Sequence, residues 1–390
     1  MVKGQKIRVV SNNTNTKKIE RKMNKIDKIK NFSYYPEFSD KNFYEKIYKK
    51  KEFNMFKIPV ETRQMEEICN PESYELMPQQ NFLKNYISPN TPYNAILIYH
   101  GTGVGKTCTA IGIAENFKAQ MKEYSTRALV IVSSDIESNF RNEIYNIDKE
   151  LDKKPYERDI LVQCTGEAYK MTEDELKYLT KKQLRRKVRA NINNNYKFVA
   201  YIKLANDIKR QTNWNGDESL ITDKVKEIIK KRYSNRVIII DEVQNIRDET
   251  QQDKMVPPII EAMIKYSDNV KLILMSATPM YHSPREIIYI LNLMLCVDKK
   301  PLLNEDDIFD KQDNITPKGR KILIEHSKGY ISYLKGENPY TFPIKLIPNE
   351  ARVLDEVKID INNKFIPKDQ RLKEVKIIPC NMSNFQYKGY

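Results

Sequence analysis

The run Ala95, Ile96, Leu97, Ile98, Tyr99 leads without a break into "HGTGVGKT", residues 100–107. An unalternating apolar run of this length reads as a strand buried on both faces. Glycines then mark a tight turn, and the following "KTCTAIGIAENFKAQM" reads as a helix. Strand, glycine loop and helix in that order belong to an α/β layer fold. Backbone N–H groups of such a loop, with the helix N-terminus behind them, can surround phosphate oxygens.

The same rhythm repeats along the chain. "SYELMPQQNFLKNYI" (73–87) has helical spacing, and "SPNTPYN" (88–94) reads as a loop. Further strands are expected at 128–133, 160–164, 237–241 and 271–277, with "FVAYIKLAN" (198–206) a short strand leading into a helix. "SNFRNEIYNI" and "REIIYILNLMLC" read as helices. Short apolar strands separated by helices predict a parallel sheet covered on both faces. Residues 167–197 interrupt the rhythm with a polar, charged, helix-prone segment, expected as a surface insertion. The predicted organisation is a basic N-terminal extension over 1–70, with a mobile arm at 1–35. An α/β domain follows over 71–300, then a C-terminal extension, or the start of a second lobe, over 301–390, which includes the strand-like "EVKIIPC" (374–380).

Charge narrows the partners. The formal net charge is +15, and residues 1–57 hold 16 Lys and Arg against 6 Asp and Glu. "KKQLRRKVRA" (181–190) is a second basic block. Such blocks can follow a phosphate backbone. The Lys, Asn, Ile and Tyr richness of an AT-rich genome would produce the same excess, so charge alone does not decide. No apolar run approaches 18 residues, so no membrane span is expected. Cys69, Cys108, Cys164, Cys296 and Cys380 are scattered, with three histidines in the chain. Neither a zinc site nor a disulfide framework is expected, and a reducing intracellular setting fits.

Three stretches carry chemistry. Gly101, Thr102, Gly103, Val104 and Gly105 of "GTGVGKT", with Cys108 just beyond it, line the expected phosphate cradle. Lys106 would reach the β- and γ-phosphates of ATP, and Thr107 would coordinate Mg²⁺. "VIIIDEVQN" (237–245) delivers Asp241 and Glu242 at the carboxyl end of a strand, where open α/β sheets bind ligands. Asp241 would hold Mg²⁺ and Glu242 would orient or deprotonate the attacking water. In "LMSATPMY" (274–281), Ser276, Ala277 and Thr278 follow another strand, and the hydroxyls could bond the carboxylates and relay nucleotide state. A strand ending in a solvated Asp-Glu turn would be ordinary by itself. It is the phosphate loop upstream that gives the pair its meaning.

"GTGVGKT", "DEVQ" and "SATP", in order, resemble motifs I, II and III of helicase superfamily 2. The resemblance implies a RecA-like fold, ATP hydrolysis stimulated by DNA or RNA, and further site residues. Gln80, or Gln79, would touch adenine; Ser133 and Ser134 would lie near the nucleic-acid backbone; Thr165 and Gly166 would donate to a phosphate. Residues 73–345 resemble more narrowly the helicase-like ATPases of large cytoplasmic DNA viruses, a group that includes the poxvirus early transcription factor small subunit and nucleoside triphosphatase I. That likeness implies a role in viral transcription or DNA handling, in the host cytoplasm at the viral factory and in the virion. Two departures stand out. Gln244 occupies the usual His place of motif II, where an amide can still link to motif III without titrating. No "QxxGRxxR" follows residue 300, and "KGR" at 318–320 has the wrong setting. The chain therefore reads as a first lobe, whose catalytic arginines would come from a protein partner or a downstream segment. A non-motor, nucleotide-gated scaffold is the alternative. A small-molecule kinase fits less well, since it would not need the Ser-Ala-Thr triplet.

Overall fold

The computed structural model describes residues 34–57, 76–152, 163–247, 255–280 and 283–334, with scattered positions between 357 and 389. The expected arm, the residues 160–162 of an expected strand and the "EVKIIPC" piece fall outside these, apart from Tyr34 and Tyr35. The chain divides into two compact units, Met1–Asn338 and Pro339–Tyr390.

In the first unit, two short helices, α1 (Phe43–Lys49) and α2 (Lys51–Asn54), precede α3 (Pro78–Tyr86). The α/β succession then runs β1 (Ala95–His100), α4 (Lys106–Asn116), α5 (Lys118–Glu123), β2 (Ala128–Ile131), α6 (Ser134–Ile144) and α7 (Ile147–Leu151). It continues through α8 (Glu173–Tyr178), α9 (Lys181–Asn195), β3 (Tyr196–Val199), α10 (Tyr201–Thr212), α11 (Asp223–Tyr233) and β4 (Arg236–Ile240). It closes with α12 (Val256–Lys265), β5 (Val270–Ser276), α13 (Glu286–Val297), α14 (Pro317–Ser327) and β6 (Ile331–Leu334). In the second unit the described residues hold an antiparallel bridge between Ile359 and Phe365, and α15 (Asn384–Gly389).

The strands form one sheet in the order β3-β2-β4-β5-β1-β6, and every pairing is parallel. Leu97 stands opposite Leu274, and Ile131 opposite Ile240. Side chains alternate between the faces. Ile96, Ile98, Val130, Ile239 and Met275 enter one core, with α3, α4, α6 and α9 over it. Leu97, Leu129, Ile131, Ile240 and Leu274 enter the other, under α10 to α13. Burying each such side chain stabilises the fold by about 1.5–3 kcal/mol. This is the RecA-like α/β architecture expected from the apolar runs, with helices on both faces.

Three local readings need correction. Gln163 and Cys164, expected at the end of a strand, lie in a turn, and the strand beside β2 is β3. The 167–197 segment is not wholly superficial: α8 buries nothing, but α9 packs Leu184, Val188 and Ile192 into the first core. Their i, i+4, i+8 spacing makes a narrow apolar stripe in a strongly polar sequence. Cys108 and Cys164 are joined as a disulfide, with Cα atoms 5.3 Å apart, where none was expected. The turn at 163–169 crosses the first turn of α4, a proximity that a separation of 56 residues conceals.

Candidate functional site

Because all six strands run parallel, their carboxyl ends share one edge. The loop after β1, Ser133 after β2, Tyr201 after β3, Asp241 and Glu242 after β4, and Ala277 and Thr278 after β5 all emerge there.

The loop after β1 is built around two left-handed residues, Gly103 at φ 74° and Gly105 at φ 76°. A Cβ at Gly105 would also lie 2.3 Å from Gln80 Nε2. That amide donates to the Gly105 carbonyl at 3.1 Å, while its Oε1 accepts from the Met77 N–H at 2.8 Å. Gln80 is buried and braces the loop from α3. Thr109 Oγ1 donates to the same Gly105 carbonyl at 2.9 Å. Val104 is buried beneath the loop, Thr102 and Gly103 lie at its exposed tip, and Thr107 is half-buried in the first turn of α4. Cys108 is buried, and its sulfur is bonded to Cys164, so only its backbone can serve a ligand.

Lys106 folds back over this loop. Its Nζ donates to the carbonyls of His100 at 3.1 Å and Gly101 at 3.0 Å. An ammonium has three N–H groups, so two hold the lysine in place and one remains for an anion. Burial lowers the Lys106 pKa, while Glu242 and Asp241 pull it back up. Asp241 is buried, and that burial raises its carboxyl to about 6, with the Glu242 charge adding to the rise and Lys106 opposing it. A cation and two carboxylates thus share one edge within electrostatic reach, the donor set for a triphosphate with a hard divalent cation. The residues present fit ATP with Mg²⁺ at Lys106, Thr107 and Asp241.

A chain of hydrogen bonds leads away from Glu242. Gln244 Nε2 donates to Glu242 Oε2 at 2.8 Å. Ser276 Oγ donates to Gln244 Oε1 at 2.7 Å and accepts from the Thr278 N–H at 2.9 Å. The Gln244 amide therefore bridges the two stretches, as its donor and acceptor ends allow. Ala277 lies within this turn, half-buried.

Two residues of the edge escaped sequence reasoning. Tyr201 donates its hydroxyl to the Asp241 carbonyl and, at 3.3 Å, to the Glu242 carbonyl. Glu242 sits at φ 48°, a left-handed angle for a residue with a side chain, so Tyr201 clasps a strained turn. Its only sequence signal is its place directly after β3. His100 is 1% exposed, its Nε2 is 2.8 Å from Ser332 Oγ, and burial lowers its pKa to about 4, with Lys106 adding to the fall.

The four nucleic-acid candidates do not form one cluster. Ser133 caps α6 at the carboxyl edge and Ser134 is exposed beside it. Thr165 donates to the Ile144 carbonyl at 2.8 Å, at the far end of α6, and Gly166 (φ 61°) turns next to it. Eleven helical residues separate the two pairs, or about 16 Å.

Sheet order, phosphate loop and paired carboxylates define a phosphate-loop NTPase of RecA-like fold. Residues 69–281 match the family described as type III restriction enzyme, res subunit. The chain belongs to that family, among the superfamily 2 helicase-like ATPases of large DNA viruses, and the match covers the first-lobe region. A protein of Acanthamoeba polyphaga mimivirus provisionally named ATP-dependent RNA helicase R563 is 32% identical over 79% of this chain and 49% of its own length. Another mimivirus protein, provisionally named ATP-dependent RNA helicase L377, is 30% identical over 79% of this chain and 28% of itself. A frog virus 3 protein provisionally named helicase 009L is 25% identical over 67% of this chain and 24% of itself. The chain spans half or less of the length of these curated relatives. Among solved structures, the Sulfolobus solfataricus SWI2/SNF2 ATPase core in complex with dsDNA is similar over 67% of this chain and 45% of that one, at 16% identity and a TM-score of 0.38.

Proposed function

We propose that the chain is the ATP-binding first lobe of a helicase or translocase that acts on viral DNA or RNA in transcription. One observation carries the reading. Glu242, the carboxylate to which this reading gives the water, is hydrogen-bonded through Gln244 to Ser276 at the end of the neighbouring strand, and Ser276 accepts from the Thr278 N–H. A site that only binds nucleotide has no need of such a link; a motor needs its hydrolytic carboxylate tied to elements that move.

In this reading ATP is the substrate: water bonds to its γ-phosphorus as the bond to the ADP oxygen breaks, giving ADP and phosphate. Lys106 neutralises the β- and γ-phosphate oxygens, and the loop N–H groups orient them. Thr107 and Asp241 would hold Mg²⁺, which would supply charge neutralisation at the phosphates. Glu242 accepts a proton from the attacking water, and Gln244 fixes the direction of that carboxylate. Arginines of a second RecA-like lobe, from a downstream segment or a partner protein, would complete the charge stabilisation. The work would take place in the host cytoplasm, at the viral factory, and in the virion.

The test is ATP turnover by the chain, with and without single-stranded DNA or RNA, alone and with a second lobe supplied. Lys106→Ala should abolish tight ATP binding, and Glu242→Gln should keep binding and stop turnover. If nucleic acid changes nothing while ATP still binds, the chain is instead a nucleotide-gated scaffold. If Glu242→Gln loses affinity as badly as Lys106→Ala, the water-activating role is wrong.

A further inference from the structure

Helix α9 carries Lys181, Lys182, Arg185, Arg186, Lys187 and Arg189 and no acidic residue. Its apolar stripe, Leu184, Val188 and Ile192, is buried, which fixes how the helix is rolled. At 3.6 residues per turn, Lys182, Arg185, Arg186 and Arg189 fall on one flank, within an arc of about 100°. Lys187 points to the other flank, where it pairs with Glu175.

Arg185 and Arg189 of this flank face α6 across a groove of about 450 Å³, whose lining also holds Ser134, Ser138, Arg141 and Asn142 and the carboxylates of Glu137 and Asp148. Two of these arginines already have partners. Arg141 donates to Glu137 at 2.8 Å and lies over the Phe198 ring, and Arg185 pairs with Asp148 at 2.9 Å. Lys182, Arg186 and Arg189 are exposed and make no ion pair among the described residues. Arg189 is therefore the surplus charge of the groove lining, and Lys182 and Arg186 add charge on the same helix beside the groove. Hydroxyls of Ser134 and Ser138 and the Asn142 amide add uncharged donors of the kind that phosphates accept.

The occupant follows from what the groove lacks. Its apolar lining residues, Tyr145, Ile147, Val188 and Ile192, are all buried, so no anchor pocket is offered to a protein partner and no apolar face to a membrane. Lys182 to Arg189 covers about 10 Å along the helix axis, the rise of about three phosphates of one strand. At one end of the groove stands Ser134, next to the carboxyl edge of the sheet.

We propose that the groove between α6 and α9 holds the phosphodiester backbone of the nucleic acid, prolonging its path from Ser133 and Ser134 past the β3 edge. The inference rests on the nucleic-acid reading above and adds to it a surface that the 181–190 insertion sequence supplies.

The full chain would be titrated with a fluorescent 20-nucleotide DNA over a range of salt, reading anisotropy. Lys182→Gln, Arg186→Gln and Arg189→Gln would be combined in one variant. A second variant, Lys224→Gln, Lys231→Gln and Arg232→Gln on α11, removes the same charge elsewhere on the surface. The α9 variant should flatten the slope of log affinity against log salt by about 2, at roughly 0.7 per phosphate contact, while ATP affinity stays unchanged. The α11 variant should keep the steeper slope. Equal slopes in the two variants would overturn the groove while leaving nucleic-acid binding in place. Absence of binding by the unaltered chain would overturn the nucleic-acid reading, and the groove with it.

Discussion

Gln244 is the residue through which Glu242 and Ser276 meet, and its two bonds define what its loss should do. Gln244→Leu keeps the volume and removes both donor and acceptor. Two bonds of about 1 kcal/mol each predict a turnover roughly ten- to thirtyfold lower, with ATP affinity unchanged in an equilibrium titration. A parallel loss of affinity would mean that Gln244 shapes the loop rather than the chemistry. His100 gives the pH dependence. Its folded value of about 4 lies below the ordinary 6.5, so the unfolded chain binds the proton more readily. Its contribution to stability is complete above about 6.5 and is lost as pH falls towards 4, amounting to about 2–3 kcal/mol by pH 4.5. Urea midpoints at pH 7 and 4.5 should therefore differ more in the unaltered chain than in His100→Asn. That Lys106, Asp241 and Glu242 share one edge could be anticipated from the sequence because each sits inside a contiguous pattern at a strand end. Tyr201 and His100 could not, because their roles come from the β4 turn and β6, neighbours set only by strand order.

Strands buried on both faces were the most legible elements. β1, β4 and β5 have no polar face to confuse the pattern, and the structure pairs them side by side. β6 was not legible as a sheet strand, since as an edge strand it is half-exposed along its length. The glycine loop was legible in kind but not in support: nothing in "PQQNF" announces that the Gln80 side chain would press against Gly105. Gly105→Ala meets both the positive φ and that amide, so it should cost about 1–3 kcal/mol and weaken ATP binding. Both effects are read in thermal melts with and without nucleotide. The insertion offers a sharper element-scale test. A merely superficial α9 would tolerate truncation of Leu184, whereas the buried stripe predicts that Leu184→Ala costs about 2–4 kcal/mol. Arg186→Gln on the exposed flank should cost almost nothing. Denaturant unfolding of the two variants separates these cases.

At the scale of the whole unit, the link between Cys108 and Cys164 changes how the nucleotide site is held. One sulfur lies two residues beyond Lys106, and the other lies in the turn that runs past α4. Tyr169, in that turn, donates to Glu115 on α4 at 3.0 Å, and Tyr196, the first residue of β3, donates to the same carboxylate at 2.6 Å. The turn is thus tied to the nucleotide helix at two levels, one covalent and one by hydrogen bonds. Closing a loop across 56 residues restricts the unfolded chain by about 4 kcal/mol in the chain-entropy picture. Reduction should lower the urea midpoint accordingly, and Cys164→Ser should reproduce the drop and abolish its dependence on reductant. The hydrogen bonds to Glu115 make a second outcome specific. They survive reduction, so the reduced chain should keep its ATP affinity within about threefold even as its global stability falls. A large loss of ATP affinity on reduction would mean that the covalent link, and not the packing of α4 on the sheet, sets the phosphate loop.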